Sequence, residues 1–302
     1  MIRLRYNSDL ILANILFGCN FPVLVSLTQS YIDFRTLFVW QVVIAACCFI
    51  PQLLWHPMVR NMSWRDLRNM LIVTLFIIYG WLYMLLWGAS YTNAFDASTL
   101  ATLGPIITLV ASRIAQHHTV RPLRIIGVMV ALVGAGLLLF DQGERMWDVG
   151  TEVSGNAMVL VAVVAIAINT VIIKPQLNRL GARVVLGWCS ILALPLVLPL
   201  FWPYLHVVEF TTLPPTAQFD LIYALIFGTV LPLWLLYRGA EKLTAVHTAL
   251  YRYIQPAIAW SIAILRHRVF PDDVCITAMV LIVVGVVFVI IGARGEAGGM
   301  KN

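Results

Sequence analysis

Ten apolar stretches, each about as long as a bilayer is thick, follow one another along 302 residues with only short polar breaks between them. They run at 8–29, 36–55, 69–90, 95–112, 122–140, 154–173, 184–202, 217–237, 244–264 and 273–292. A hydrocarbon core about 30 Å thick takes roughly 20 apolar residues of helix, so each stretch reads as one crossing. Composition agrees: 61% of the residues are hydrophobic and 11% charged, with mean hydropathy +0.90, where a soluble domain is about one quarter charged. No break is much longer than Pro203 to Gln218, too short to hold a second core, and no soluble domain is expected. The basic start, Met1 to Arg5, precedes an apolar run without a small-residue cleavage pattern, so the first span is expected to stay. The five cysteines, Cys19, Cys47, Cys48, Cys189 and Cys275, lie in or at the end of spans without metal-type spacing and read as buried free thiols.

Net charge is +6, and the placement of the basic residues turns this into a topology signal. Lys and Arg collect in cytoplasmic loops. With the N-terminus inside, Arg3, Arg5, Arg60, Arg65, Arg68, Arg113, Arg121, Arg124, Lys174, Arg179, Arg183, Arg238, Lys242, Arg294 and Lys301 fall inside, 15 in all, and only Arg35, Arg145, Arg266 and Arg268 fall outside. Both termini are therefore expected in the cytoplasm, with an even number of spans. No nucleic-acid partner follows from the charge. Leu265-Arg266-His267-Arg268 is the discordant segment of this topology.

The chain also repeats itself. A shift of 151 residues lays Gly88-Ala89 on Gly239-Ala240, Ala94 on Ala245, Pro105 on Pro256 and Gly134 on Gly285; a shift of 148 matches Arg35 with Arg183, Ala45 with Ala193 and Pro51 with Pro199. Apolar helices match one another by chance in Ala, Leu and Val, but paired Pro and Gly at a constant offset are harder to produce so. Five spans per half is an odd number, so the halves are expected to enter the membrane from opposite sides. The predicted fold class is an all-α membrane protein of ten transmembrane helices in two inverted five-helix repeats, residues 1–145 and 153–293, with a cytoplasmic tail at 294–302. In such plans the substrate site lies near the midplane between the halves.

Two segments carry a family likeness. Gly88-Ala89-Ser90-Tyr91-Thr92-Asn93-Ala94 leading to Leu103-Gly104-Pro105 is echoed by Gly239-Ala240, Ala245 and Ile254-Gln255-Pro256, and the chain opens on Ile15-Leu16-Phe17-Gly18-Cys19-Asn20-Phe21-Pro22. On these residues the chain resembles the drug/metabolite transporter superfamily in its EamA-type branch, over nearly its whole length. The likeness implies a ten-helix transporter of small molecules without a cofactor. It departs from the family pattern where a glycine-glutamate pair closes the fourth and ninth helices: Gln116-His117-His118 and Arg266-His267-Arg268 stand there instead, and Gln41 replaces an arginine common in the second helix.

Polar groups in hydrocarbon are expensive and mark sites. Arg252 is the only Lys or Arg that the inside/outside count leaves within a span. Thr248, Tyr251, Arg252 and Gln255 have helical spacing and are expected on one face, and Pro256 removes the partner of the Arg252 carbonyl. Arg252 is read as a ligand for a carboxylate or other anion, against snorkelling or a structural bond to a neighbouring helix. Tyr79, Tyr83 and Trp87 form an i, i+4, i+8 stripe, with Trp234 and Tyr237 in the matching span; Tyr79, Tyr83 and Trp234 are candidates for stacking on a ligand, against packing or an interfacial belt. Asn14 and Asn169 are candidates if the cavity is central, against helix–helix hydrogen bonding, and Lys174 reads as a topology charge.

The 14 acidic residues map to loops, tails or span ends, so a proton relay has no seat, and His247 reads as interfacial. No Gly-x-x-x-x-Gly-Lys-Ser/Thr loop is present. The expected function is secondary transport in a bacterial inner membrane, by facilitated diffusion or exchange, exporting amino acids or related anions; the partners are substrate and lipid, and the chain acts as a homodimer or a monomer. Efflux of aromatic or cationic toxic compounds is the alternative, to which Arg252 is opposed. An intramembrane enzyme acting on lipid has no His-Glu-x-x-His, no paired mid-membrane carboxylates and no Ser/His/Asp set to work with.

Overall fold

The computed structural model describes residues 2–54, 63–115, 122–139, 150–206, 210–268 and 270–299, and among the described residues the chain is helical, with no strand. Seven helices are long and apolar enough to cross a membrane: Arg5–Ser30, Phe34–Leu53, Trp64–Ala89, Ala94–Ala115, Glu152–Ile172, Lys174–Leu205 and Pro215–Ala240. Ile125–Leu139 and Asp273–Val289 are shorter apolar stretches among the described residues, and Ile254–His267 is a helix of 14 residues.

In chain order, α1 is Ile2–Ser30, α2 Phe34–Leu54, α3 Trp64–Leu75, α4 Met84–Ala89, α5 Ala94–Ala101, α6 Gly104–Ala115, α7 Pro122–Leu139, α8 Glu152–Ile172, α9 Lys174–Phe201, α10 Pro215–Ile222, α11 Leu231–Ala240, α12 Ala245–Leu250, α13 Ile254–His267 and α14 Asp273–Gly299. The chain passes from α3 to α4 through a π-helical stretch, Phe76–Tyr83, and from α10 to α11 through another, Tyr223–Val230. The helix starts follow capping chemistry. Asn93 accepts from the Asp96 amide (2.9 Å) to begin α5, and Thr244 accepts from the His247 amide (3.1 Å) to begin α12. These caps stand at the 151-residue offset.

The expected spans at 95–112 and 244–264 are each broken. α5 ends in a tight turn, Thr102–Leu103, before Gly104-Pro105 restarts the chain as α6, and α12 ends in the 3₁₀ turn Tyr251–Tyr253 before α13, where Pro256 lacks an N–H. Packing repeats in the same way. α1 packs on α11 and α13 while α8 packs on α4 and α6; α2 pairs with α9, α5 with α13, α6 with α12, and α7 with α14. The matched glycines sit on these seams. A Cβ on Gly88 would come within 2.8 Å of the Gly155 carbonyl on α8, and one on Gly239 within 2.7 Å of Leu10 on α1. Lipid supplies no hydrophobic drive between helices, so such close approach by small residues is what holds them.

Ion pairs tie the helix ends. At one end Arg238 grips Asp9 (Nε to Oδ2 2.7 Å), Arg179 pairs with Asp66, and Lys174 donates to the carbonyls of Ala240 and Glu241. At the other, both guanidinium nitrogens of Arg266 bind Asp220, at 2.8 and 2.5 Å. That pair gives the discordant basic segment a local cause: the charge is matched by a buried carboxylate on α10. The Gln116-His117-His118 segment lies outside the described residues.

Candidate functional site

α1, α2, the two π-helical stretches, α8 and the α12–α13 break meet around a cavity of about 60 Å³. α1 turns Asn14, Phe17, Asn20 and Phe21 toward it, and Gln41 comes from α2, Trp81 from the first π stretch, Thr229 from the second, and Arg252 and Gln255 from either side of the α13 start. Such a space holds a few waters. Its walls are largely apolar, with polar groups converging from several helices.

Arg252 is buried, and its Nη2 donates to Thr170 Oγ1 at 3.2 Å. The Thr170 hydroxyl proton is already directed to the Ile166 carbonyl (2.7 Å), so its oxygen is a proper acceptor for the guanidinium. Among the described residues no carboxylate pairs with Arg252; the three ion pairs join Asp66, Asp9 and Asp220 to other arginines. Gly104 makes room for the side chain: a Cβ there would lie 3.0 Å from Arg252 Nη1 and 3.4 Å from its Cδ.

The amides around the cavity are partly spent. Gln255 donates to Asn14 Oδ1 (2.7 Å), and Asn14 donates onward to the Leu10 carbonyl (2.7 Å). Asn20 donates to the Gly228 carbonyl at 3.3 Å and Gln41 to the Ala224 carbonyl at 3.4 Å, while Thr229 Oγ1 donates to Ala224 at 2.8 Å. All three bonds use carbonyls of the second π stretch, whose i→i+5 ladder releases backbone acceptors. The amide oxygens of Asn20 and Gln41 are left without a partner.

Of the residues singled out in the sequence, Arg252, Gln255 and Asn14 share this cavity. Thr248 and Asn169 line a smaller cavity beside it. Tyr79, Tyr83, Tyr251 and Trp234 line neither of these two cavities. Tyr79 donates to the Leu196 carbonyl (2.6 Å), and with Tyr83 it packs into a ring cluster of Phe34, Phe38, Trp87 and Phe201. Trp234 lies under the Arg183 guanidinium at 5.8 Å, and Tyr251 packs edge-on against His247. The cause is backbone geometry. A π-helical turn holds more residues than an α turn, so across Phe76–Tyr83 the face expected from i, i+4 spacing rotates and Trp81 takes the inward place. Likewise the 3₁₀ turn at Tyr251–Tyr253 divides the expected face of Thr248, Tyr251, Arg252 and Gln255. Asn20, Gln41, Thr170 and Gly104 were not named as site residues; Gln41 carried a signal as the residue in place of an arginine, and Gly104 as part of the repeated motif.

A bundle of apolar helices around a largely apolar cavity on which a few polar groups converge is the build of a multi-pass membrane protein. The chain belongs to the EamA-like transporter family, whose model matches it twice, over residues 9–140 and 153–291. It is 25% identical over 181 residues to the uncharacterized transporter YetK of Bacillus subtilis, covering 58% of this chain and 53% of that one. It is 26% identical over 216 residues to an uncharacterized transporter of Clostridium kluyveri, covering 70% and 65%. The chain thus spans between half and two thirds of the length of these curated relatives. A solved crystal structure with 16% identity shares the fold, with TM-score 0.65 over 96% of this chain and 99% of that one.

Proposed function

We propose that this EamA-family transporter is a secondary carrier of the bacterial inner membrane, made of two inverted five-helix repeats at 1–145 and 153–293. It exports amino acids or related small anionic metabolites by alternating access. The observation that carries this reading is Arg252, a buried cation on a cavity with a hydroxyl but no carboxylate beside it among the described residues. A buried charge without a counter-charge is costly, and an incoming carboxylate would match the planar fork of the guanidinium in two parallel hydrogen bonds. Gln255 and Asn14 would complete the polar wall, while Phe17, Phe21 and Trp81 suit an apolar body on the same substrate.

A cavity of about 60 Å³ is too small for such a molecule, so binding requires the site to widen, as in a cycle in which the halves rock around a fixed site. No carboxylate lines the cavity, which favours exchange or facilitated diffusion over coupling through an acidic proton carrier. The aromatic wall also favours a second reading, efflux of aromatic cations; Arg252 opposes it. Flux of radiolabelled L-phenylalanine, benzoate and tetraphenylphosphonium in proteoliposomes decides among these. Carboxylate flux that Arg252→Ala abolishes supports the proposal, and cation flux without carboxylate flux overturns it.

A further inference from the structure

Beside the Arg252 cavity lies a second, smaller one of about 20 Å³, between α8, α11 and the start of α12. Three buried polar atoms on its wall make no hydrogen bond: Asn169 Oδ1, Tyr237 Oη and Thr248 Oγ1. Polar atoms shut away without good partners destabilise the conformation that holds them; Tyr237 and Asn169 are within reach of one another on this wall, and the Thr248 hydroxyl has no partner. The void accommodates about one water. Its remaining polar wall is Thr170, the residue that accepts from Arg252, and Lys174. Two of the Lys174 N–H groups are directed to the carbonyls of Ala240 and Glu241, and an ammonium has three.

The geometry points to a second anion-binding station here, formed by Lys174, Thr248, Tyr237 and Asn169, which receives a carboxylate released by Arg252. The inference rests on reading Arg252 as a carboxylate ligand. In this conformation the station is closed, with Lys174 capping the C-terminal end of α11. When α11 and α8 part, an oxyanion accepts from the Tyr237 and Thr248 hydroxyls and from the third N–H of Lys174, and the Asn169 amide turns to present its N–H groups. The station lies between the central cavity and the bundle end where α8 meets α9, so it is the passage from the cavity to that face. Lys174, a topology charge by sequence alone, becomes the group that draws an anion along it.

The test uses the full chain with its five native cysteines replaced, reconstituted in liposomes. Thr248→Cys, and separately Asn169→Cys, is treated with the anionic reagent 2-sulfonatoethyl methanethiosulfonate and with its trimethylammonium counterpart. Each cysteine is expected to react faster with the sulfonate, on the order of tenfold after correction for intrinsic reactivity, and Lys174→Gln is expected to remove that preference while Lys174→Arg keeps it. No modification at either position, or a preference indifferent to Lys174, overturns the station. The readout does not depend on Arg252. A preference set by Lys174 in a protein whose carboxylate flux survives Arg252→Ala would overturn the reading of Arg252 and leave the station standing; the converse result overturns the station alone.

Discussion

Arg252 sits where a soluble protein would supply a carboxylate and this one supplies Thr170. A residue kept for binding rather than for stability has a recognisable energetic signature. Arg252→Leu removes an unmatched buried charge and is expected to leave the thermal midpoint in detergent unchanged or raised, while carboxylate binding falls by about 1.5–3 kcal/mol, roughly ten- to a hundredfold in affinity. A drop in the midpoint equal to the loss of binding would mark Arg252 as structural instead. Gly104 makes a finer test. Its missing Cβ leaves 3.0 Å to the guanidinium, so Gly104→Val displaces Arg252 without touching its charge. Binding of L-phenylalanine is expected to weaken several-fold with the fold intact by circular dichroism. Arg252 was legible in the sequence because a cation inside an apolar span announces itself. Gly104 was not legible as its neighbour, because only the fold brings α6 against the α12–α13 break.

At the scale of elements, two seams carry the same chemistry, Gly88 on α8 and Gly239 on α1, where the chain needs an absent side chain. Backbone atoms of Gly155 and Val159 crowd the first position, and the Leu10 side chain with the Tyr6 carbonyl crowds the second. Gly88→Ala and Gly239→Ala are each expected to cost about 1–3 kcal/mol by overpacking, measured as lowered midpoints of thermal unfolding in detergent. An unchanged midpoint in both would show that these crossings do not hold the bundle. The paired glycines and prolines were legible because they recur at a fixed offset. The π stretches at Phe76–Tyr83 and Tyr223–Val230 were not, since an i→i+5 turn leaves no mark in composition, and this is why Tyr79 and Tyr83 were assigned to the face that Trp81 occupies. The second stretch supplies the carbonyls that Asn20, Gln41 and Thr229 bind.

For the molecule as a whole, apolar length alone proposed ten crossings; seven helices meet that length among the described residues, and the α12–α13 break divides another expected crossing. Charge proposes the orientation. The ion pairs Arg238–Asp9 and Arg179–Asp66 and the Lys174 cap lie at one bundle end, the end to which the positive-inside count assigns them, and Arg266–Asp220 lies at the other. If each half has five crossings, the residue between the halves and the C-terminus must face opposite sides of the membrane. In a full chain freed of native cysteines, Asp148→Cys is expected to react with a membrane-impermeant maleimide on intact cells, whereas Lys301→Cys reacts only after permeabilisation. Equal labelling of both positions on intact cells would refute the inverted arrangement and, with it, the placing of the Arg252 cavity between two halves that open in turn to either side.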